Sequence, residues 1–175
     1  MTFWDFCAPF YDKAEQANTA YCGMLLQVYE LTPQGASVFE AAAGTGSISL
    51  FVADKAKNVH CTDISERMLK VARKKAAKRG IENIAFSTIS LFDTGEADGS
   101  YDTVIASQVL HLIDEPMSAA EELKRISSGT VITTVALLKG LRGLFARPPL
   151  EFGGFSGSPQ NESLTRKVSV SSFLR

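Results

Sequence analysis

Long apolar runs are missing from this sequence. Nothing in its 175 residues approaches the roughly 20 consecutive apolar positions of a membrane-crossing helix, and no basic-plus-apolar leader opens it. No membrane span and no secretion signal are therefore expected, and a cytoplasmic location follows. Cysteine is scarce: Cys7, Cys22 and Cys61 are odd in number and widely spaced. They suggest no disulfide framework and form no metal or redox motif, so free thiols in a reducing compartment and no bound metal are expected. An excess of either charge is lacking too, with 18 Lys and Arg against 19 Asp and Glu and a net charge of −1. No bulk attraction to nucleic acid or to a membrane surface is implied. What remains is one domain's worth of chain, long enough for a single sizeable core.

The chain is organised around Val38-Phe39-Glu40-Ala41-Ala42-Ala43-Gly44-Thr45-Gly46 and its continuation to Asp63. Ser37 to Ala42 is β-prone and closes on small residues. Gly44 and Gly46 make a turn whose backbone can approach a ligand closely. Ser47 to Lys57 has a helical period, with Ile48, Phe51, Val52 and Ala56 on one face, and its N-terminus aims amide groups over the glycines. Val59 to Thr62 reads as a second strand with Asp63 at its carboxyl end. Strand, turn, helix, strand and acid form the first half of a nucleotide-binding α/β sheet, the acid placed for ribose hydroxyls. A dinucleotide site needs three glycines in G-x-G-x-x-G, and here the third position is Ser49. Glu40 is a carboxylate at a strand end, costly to bury without a partner, and a ligand ammonium would be such a partner. A ligand with an α-amino group, a ribose and no pyrophosphate, such as S-adenosylmethionine, suits these residues better than NAD.

V-F-E-A-A-A-G-T-G followed by C-T-D-I-S resembles motif I and the following acidic motif of class I S-adenosylmethionine-dependent methyltransferases. The resemblance runs from about Phe3 to Leu138 and is tightest in Val38 to Asp63 and Asp98 to Ile113. Ala42 departs from it, since many members carry glycine there. The resemblance implies an α/β, Rossmann-like sheet with parallel strands in the order 3-2-1-4-5, S-adenosylmethionine as cofactor and S-adenosylhomocysteine as product. It implies that Glu40 binds the ammonium and that Ala42, Gly44, Thr45 and Gly46 surround the methionine portion. Asp63 would bind the ribose, with Ile64 and Met68 also on the cofactor. Ser90 and Leu91 would hold the adenine, although many members have an acid at the position of Ser90. Ser107, Gln108 and Val109 would lie near the methionine half.

Thr2 to Ala17 is rich in aromatics, with Phe3, Trp4, Phe6, Phe10 and Tyr11, and Pro9 interrupts any helix there. From the residues alone it is a segment stapled to the core. F-W-D-F-C-A-P-F-Y-D is also similar to the N-terminal segment of small-molecule methyltransferases, quinone-directed ones included. That similarity implies a lid, with the Tyr11 ring face near the sulfonium. Asn18-Thr19 can cap a helix running to about Leu31. Ser65 can cap another that Gly80 ends, with a basic face of Arg67, Lys70, Arg73, Lys74, Lys75, Lys78 and Arg79. No aromatics interleave these charges, so a solvated face is expected rather than a nucleic-acid surface.

Ile84 to Ile89 is the third strand, and Tyr101 to Ser107 a buried fourth strand after a turn held locally by Asp102. His111, just beyond it, is the one candidate acid/base residue; the alternative is a histidine packed beneath the loop. Asp114 to Ser127 reads as a helix with Pro116 in its first turn, and Ser128-Gly129 as its break. Thr130 to Leu138 is the fifth strand, apolar as a central parallel strand is.

From Lys139 the pattern fades. Residues 140–175 are rich in Gly, Pro, Ser and Arg. Leu141 to Phe145 suggests a helical turn, Glu151 to Pro159 a loop, and Lys167 to Phe173 a late strand. The resemblance implies one more helix and an antiparallel strand pair, so the tail reads as truncated, altered in frame or genuinely short. A fifth strand left at the sheet edge would invite pairing with a second copy, a homodimer. The expected organisation is residues 1–36 as a helical lid, 37–138 as the cofactor-binding core and 139–175 as an irregular tail. Methyl transfer to a small-molecule acceptor is the implied function, without nucleic-acid or membrane partners. A non-catalytic S-adenosylmethionine-binding module and an NAD(P)-linked oxidoreductase are the alternatives.

Overall fold

A computed structural model of the chain describes residues 19–136 and 168–173. The N-terminal aromatic segment with Tyr11, the Leu141–Phe145 turn and the Glu151–Pro159 loop lie outside the described residues. Helix α1 (Thr19–Leu31) leads to strand β1 (Ser37–Ala41), short helix α2 (Ser47–Val52) and strand β2 (Asn58–Asp63). Helix α3 (Glu66–Arg79), strand β3 (Ile84–Thr88), strand β4 (Tyr101–Ser107), a 3-10 turn at Leu110–Leu112, helix α4 (Pro116–Arg125) and strand β5 (Ser127–Ala136) follow, with strand β6 (Val168–Phe173) last.

The strands form one sheet in the order β3-β2-β1-β4-β5-β6, and every neighbouring pair is parallel. Helices cover both faces, so the inner strands are apolar on alternate residues toward each side. Val38, Ile105 and Ile132 pack with Met24 and Val28 of α1 and Ile48 and Val52 of α2. Phe39, Val104, Ala106 and Val131 pack on the opposite face against Ala119 and Leu123 of α4 and against Ile126. With the strands parallel, their carboxyl ends collect along one edge of the sheet, where such folds open their ligand crevice.

Local chemistry sets the element ends. Ser65 accepts from the Met68 N–H at the start of α3, and Gly80 closes it by donating to the Ala76 and Ala77 carbonyls. Helix α2 stops at Val52 rather than at the expected Lys57, because the following chain bonds elsewhere. Lys57 N donates to the Ala36 carbonyl and the Lys55 carbonyl accepts from Gly35 N, tying this turn to the start of β1.

Asp102 does not hold a local turn, as its neighbouring residues suggest. Its Oδ2 accepts from Ser37 N and Ser37 Oγ, each at 2.8 Å, and so joins the start of β4 to the start of β1. Those bonds hold its carboxyl below the ordinary carboxylate range. Ser128-Gly129 is likewise not a break between helix and strand. Strand β5 begins at Ser127, and its register against β4 shifts from Tyr101↔Ser127 to Thr103↔Thr130, accommodating an extra residue. A Cβ on Gly129 would lie 2.5 Å from the Asp102 carbonyl oxygen, so the shift passes only with glycine.

The late strand forms, and it changes the edge. β6 pairs with β5 from Val131↔Val168 to Ala136↔Phe173, parallel rather than antiparallel. The β5 edge, through which a second copy was expected to pair, is thus occupied by the chain itself. No helix among the described residues is long and apolar enough to cross a membrane.

Candidate functional site

The turn after β1 is pinned from β2. Ala43 N donates to the Thr62 carbonyl at 2.8 Å, and Thr62 Oγ1 donates to the Glu40 carbonyl at 2.8 Å. Asp63, 7 % exposed, accepts from Gly44 N at 2.7 Å on one oxygen and from Ser65 N at 2.8 Å on the other. The acid at the strand end therefore fixes the glycine turn and the entry to α3. A carboxylate oxygen can accept more than one hydrogen bond.

Gly46 serves packing. Its φ is +72°, and a Cβ there would lie 2.8 Å from the Ala72 Cβ of α3. The turn can seat on α3 only without a side chain at this point. Lys75 of α3 donates to Thr45 Oγ1 at 3.2 Å, a second tie between the basic helix and the turn.

Glu40 is 3 % exposed, and its partner is in the chain itself. Glu40 Oε2 accepts from Ser49 N at 2.8 Å and from Ser49 Oγ. Gly46, at the N-cap of α2, has no side chain to satisfy the helix's first amides. Glu40 supplies that acceptor from the neighbouring strand. Ser49, standing where a dinucleotide fold has its third glycine, is thus a positive feature of the site rather than a missing residue. Cys61 lies fully buried nearby, and burial, then the Glu40 charge, push its thiol pKa up, which leaves it unreactive.

Two adjoining cavities open at this edge of the sheet. The larger, about 240 Å³, is lined by Ala42, Gly44, Asp63, Ile64, Met68, Ser90, Leu91, Ser107, Gln108 and Val109 among the residues singled out from sequence. The smaller, about 30 Å³, adds Glu40 and Thr45 and shares Ala42, Gly44, Ser107 and Gln108 with the first. Gly46 lines neither. His111 is exposed on the 3-10 turn and lines neither; it is not packed beneath the loop. Ile89, Phe92 and Ile113 line the larger cavity and Tyr21 and Ser47 the smaller, and sequence reasoning passed over all five as site residues. Ile89, Phe92 and Ile113 lie in the loops that follow β3 and β4, Ser47 opens α2 and Tyr21 sits on α1. Ala42, with φ +51°, and Gln108, with φ +58°, are the two non-glycine residues of positive φ among the described residues, and both line both cavities.

Ile89 to Phe92 line the larger cavity and open the segment 89–100, which carries no helix. Ser90 Oγ accepts from Phe92 N at 3.3 Å. Three distant contacts hold the segment. Glu122 of α4 accepts from Thr94 N and Thr94 Oγ1 at 2.9 and 2.6 Å. Arg125 binds Glu122 at 2.7 Å and Asp98 at 2.6 Å. Glu96 lies 3.2 Å from His60 Nδ1. The Arg125 and Thr94 hydrogen bonds bring the Glu122 carboxyl down to about 2. His60 also lies 2.9 Å from the Tyr101 hydroxyl, whose pKa is pushed up to about 12 by burial and by Glu96.

The site thus offers two buried carboxylates at strand ends, a tight backbone turn and an otherwise largely apolar wall. Residues 38–128, just over half of the chain, match the family described as "methyltransferase domain". The chain belongs to that family. S-adenosylmethionine is the cofactor of methyltransferases of this fold. Over 92 residues the chain is 34% identical to a demethylmenaquinone methyltransferase of Clavibacter sepedonicus, covering 53% of this chain and 37% of that one. Over 126 residues it is 33% identical to a magnesium-protoporphyrin O-methyltransferase of Synechocystis, covering 65% and 53%. A solved SAM-dependent methyltransferase from Aquifex aeolicus superposes with a TM-score of 0.50 at 26% identity, over 60% of this chain and 57% of that one. This methyltransferase domain spans about a third to a half of the length of the two sequence relatives.

Proposed function

We propose that this chain transfers the methyl group of S-adenosylmethionine to a small-molecule acceptor. The observation that carries the reading is one crevice in which Asp63, the Gly44 turn and the apolar Leu91–Phe92 wall meet, continuous with the cavity that Glu40 borders. The cofactor's amino acid and nucleoside halves need those two environments side by side.

In this reading Asp63 accepts from the ribose hydroxyls, and Ile64 and Met68 pack beside the nucleoside. Ser90 and Leu91 hold the adenine, and Ala42, Gly44 and Thr45 border the methionine portion, with Ser107, Gln108 and Val109 opposite. Glu40, already oriented by Ser49, faces the ammonium. The group supplies an electrophilic methyl on a sulfonium. The chain's contribution is to bind, orient and exclude water around the line of attack, which accounts for large rate factors without a strong base. In the same reading residues 37–138 are the cofactor core; Tyr11 of the expected lid and most of the 139–175 tail lie outside the described residues.

Calorimetric titration with S-adenosylhomocysteine, with NAD as control, tests the reading. Saturable binding of the first and none of the second is expected. Asp63→Asn should weaken it at least tenfold, with thermal unfolding measured alongside because Asp63 also holds Gly44 and Ser65. Binding of NAD instead would overturn the reading. Radiolabelled methyl transfer to a panel of phenols, thiols and enolisable carbonyls then separates an enzyme from a module that only binds.

A further inference from the structure

The two strained residues of the crevice differ in what holds them. Ala42 has no polar side chain and precedes Ala43, whose N–H donates to the Thr62 carbonyl of β2. Gln108 is fixed from β5, by one residue. Thr134 is 3 % exposed and lines neither cavity. Its carbonyl accepts from Gln108 N at 2.8 Å, and its Oγ1 accepts from Gln108 Nε2 at 3.2 Å. The same Oγ1 lies 2.7 Å from Ser107 Oγ. Ser107 Oγ in turn donates to Met24 Sδ of α1 at 3.6 Å.

The proton inventory gives these contacts a direction. A threonine hydroxyl has one proton and two lone pairs. With the Ser107 proton on Met24, Thr134 donates to Ser107 and accepts from Gln108. Ser107 and Thr134 then each donate once. The two consecutive residues at the carboxyl end of β4 are thereby braced from β5 and from α1. Left-handed backbone costs about 1–2 kcal/mol for a residue with a side chain. Such residues gather at functional sites, and an observed one licenses a hypothesis of function.

We propose that Thr134 is a positioning residue for the cofactor crevice, holding Gln108 in its left-handed conformation where the two cavities meet. This rests on the reading of the crevice as the S-adenosylmethionine site. Thr134 touches no ligand; it acts through Gln108 and Ser107. Its hydroxyl, not its shape, is the part that matters.

The test is calorimetric titration of S-adenosylhomocysteine into the full chain, its Thr134→Val and Thr134→Ser variants, Gln108→Ala, and the Gln108→Ala/Thr134→Val pair. Valine keeps the volume and removes the hydroxyl; serine keeps the hydroxyl. Thr134→Val should weaken binding about tenfold, and Thr134→Ser should bind within about twofold of the parent. The pair should bind no more weakly than Gln108→Ala by more than about twofold, because the hydroxyl acts through that side chain. Thermal unfolding of each variant separates positioning from stability. Should Thr134→Val not fold, Thr134→Ser and Gln108→Ala alone decide: serine must bind as the parent does and Gln108→Ala must not. Unchanged affinity in a folded Thr134→Val, or losses in the pair that multiply, would overturn the proposal. Absence of binding by the parent chain would instead overturn the cofactor reading, and this proposal with it.

Discussion

The crevice has two walls of different origin. One is the run from Glu40 to Ser65, in which strand, turn, helix and strand bond mainly to one another over at most 22 residues. The other is residues 89–92 with the tip of β4, held through Thr94, Glu96, Asp98 and Gln108 by Glu122, His60, Arg125 and Thr134, which lie 26 to 36 residues away. The first wall is polar backbone and carboxylate; the second is apolar surface held by polar side chains from behind. A local wall is rigid because its parts close short loops. A distant one is only as firm as each anchor, and it is the wall from which motion and pH sensitivity are expected.

The largest effect should come from the local wall. Gly46→Ala adds a left-handed alanine and a Cβ that meets Ala72 at 2.8 Å, so a loss of about 3 kcal/mol is expected in urea unfolding. Adding Ala72→Gly should recover the steric share and leave the backbone share. A loss under about 1 kcal/mol would mean that the turn yields, and the contrast between the walls would fail. Ser49→Ala should cost about 2 kcal/mol, since it removes a hydrogen bond to a charged and buried acceptor. Ser49→Thr should restore most of it.

How legible each wall is in the sequence follows from the same difference. Glu40, Gly44, Ser49 and Asp63 fall inside one short run whose period and spacing declare a strand, a turn and a helix. The parallel order of the first five strands is the one that the resemblance carried by that run implies. The run did not reveal that Glu40 already has a partner in Ser49, because a capping bond from a neighbouring strand leaves no local signature. The second wall left almost none. Glu122 and Arg125 read as ordinary polar positions on α4, and Thr134 as one more β-branched strand residue. Asp102 suggests a local turn because its actual partner, Ser37, lies 65 residues earlier.

The distant wall can be loosened by acid. Glu122 titrates at about 2 in the fold, below its ordinary value of 4.5, so the folded state favours its charged form. Its contribution is present above about pH 4.5 and is lost as the pH falls from there toward about 2. Glu122→Gln should cost about 1.5 kcal/mol at pH 7 and flatten the acid limb of stability between those values. Affinity for S-adenosylhomocysteine should fall with it, because Thr94 and the Leu91–Phe92 wall lose their anchor. Equal acid limbs in parent and variant would show that this wall is held by something else.

The smallest effect compares the two strained residues directly. Ala42→Gly relieves about 1–2 kcal/mol of left-handed strain and gives back about 0.4–1 kcal/mol through the freer unfolded chain. The relief wins, and a net gain of about 0.5–1 kcal/mol is expected. Gln108→Gly relieves the same strain but also forfeits the bond from Nε2 to Thr134, so its net should fall at or below zero. Paired unfolding curves for the two variants measure the difference. If the two gains are equal, the Gln108 side chain adds nothing to the second wall, and its φ is set by backbone alone, as that of Ala42 is. If Ala42→Gly is stabilising and Gln108→Gly is not, the left-handed tip of β4 is a conformation the chain holds by a side chain built for that purpose.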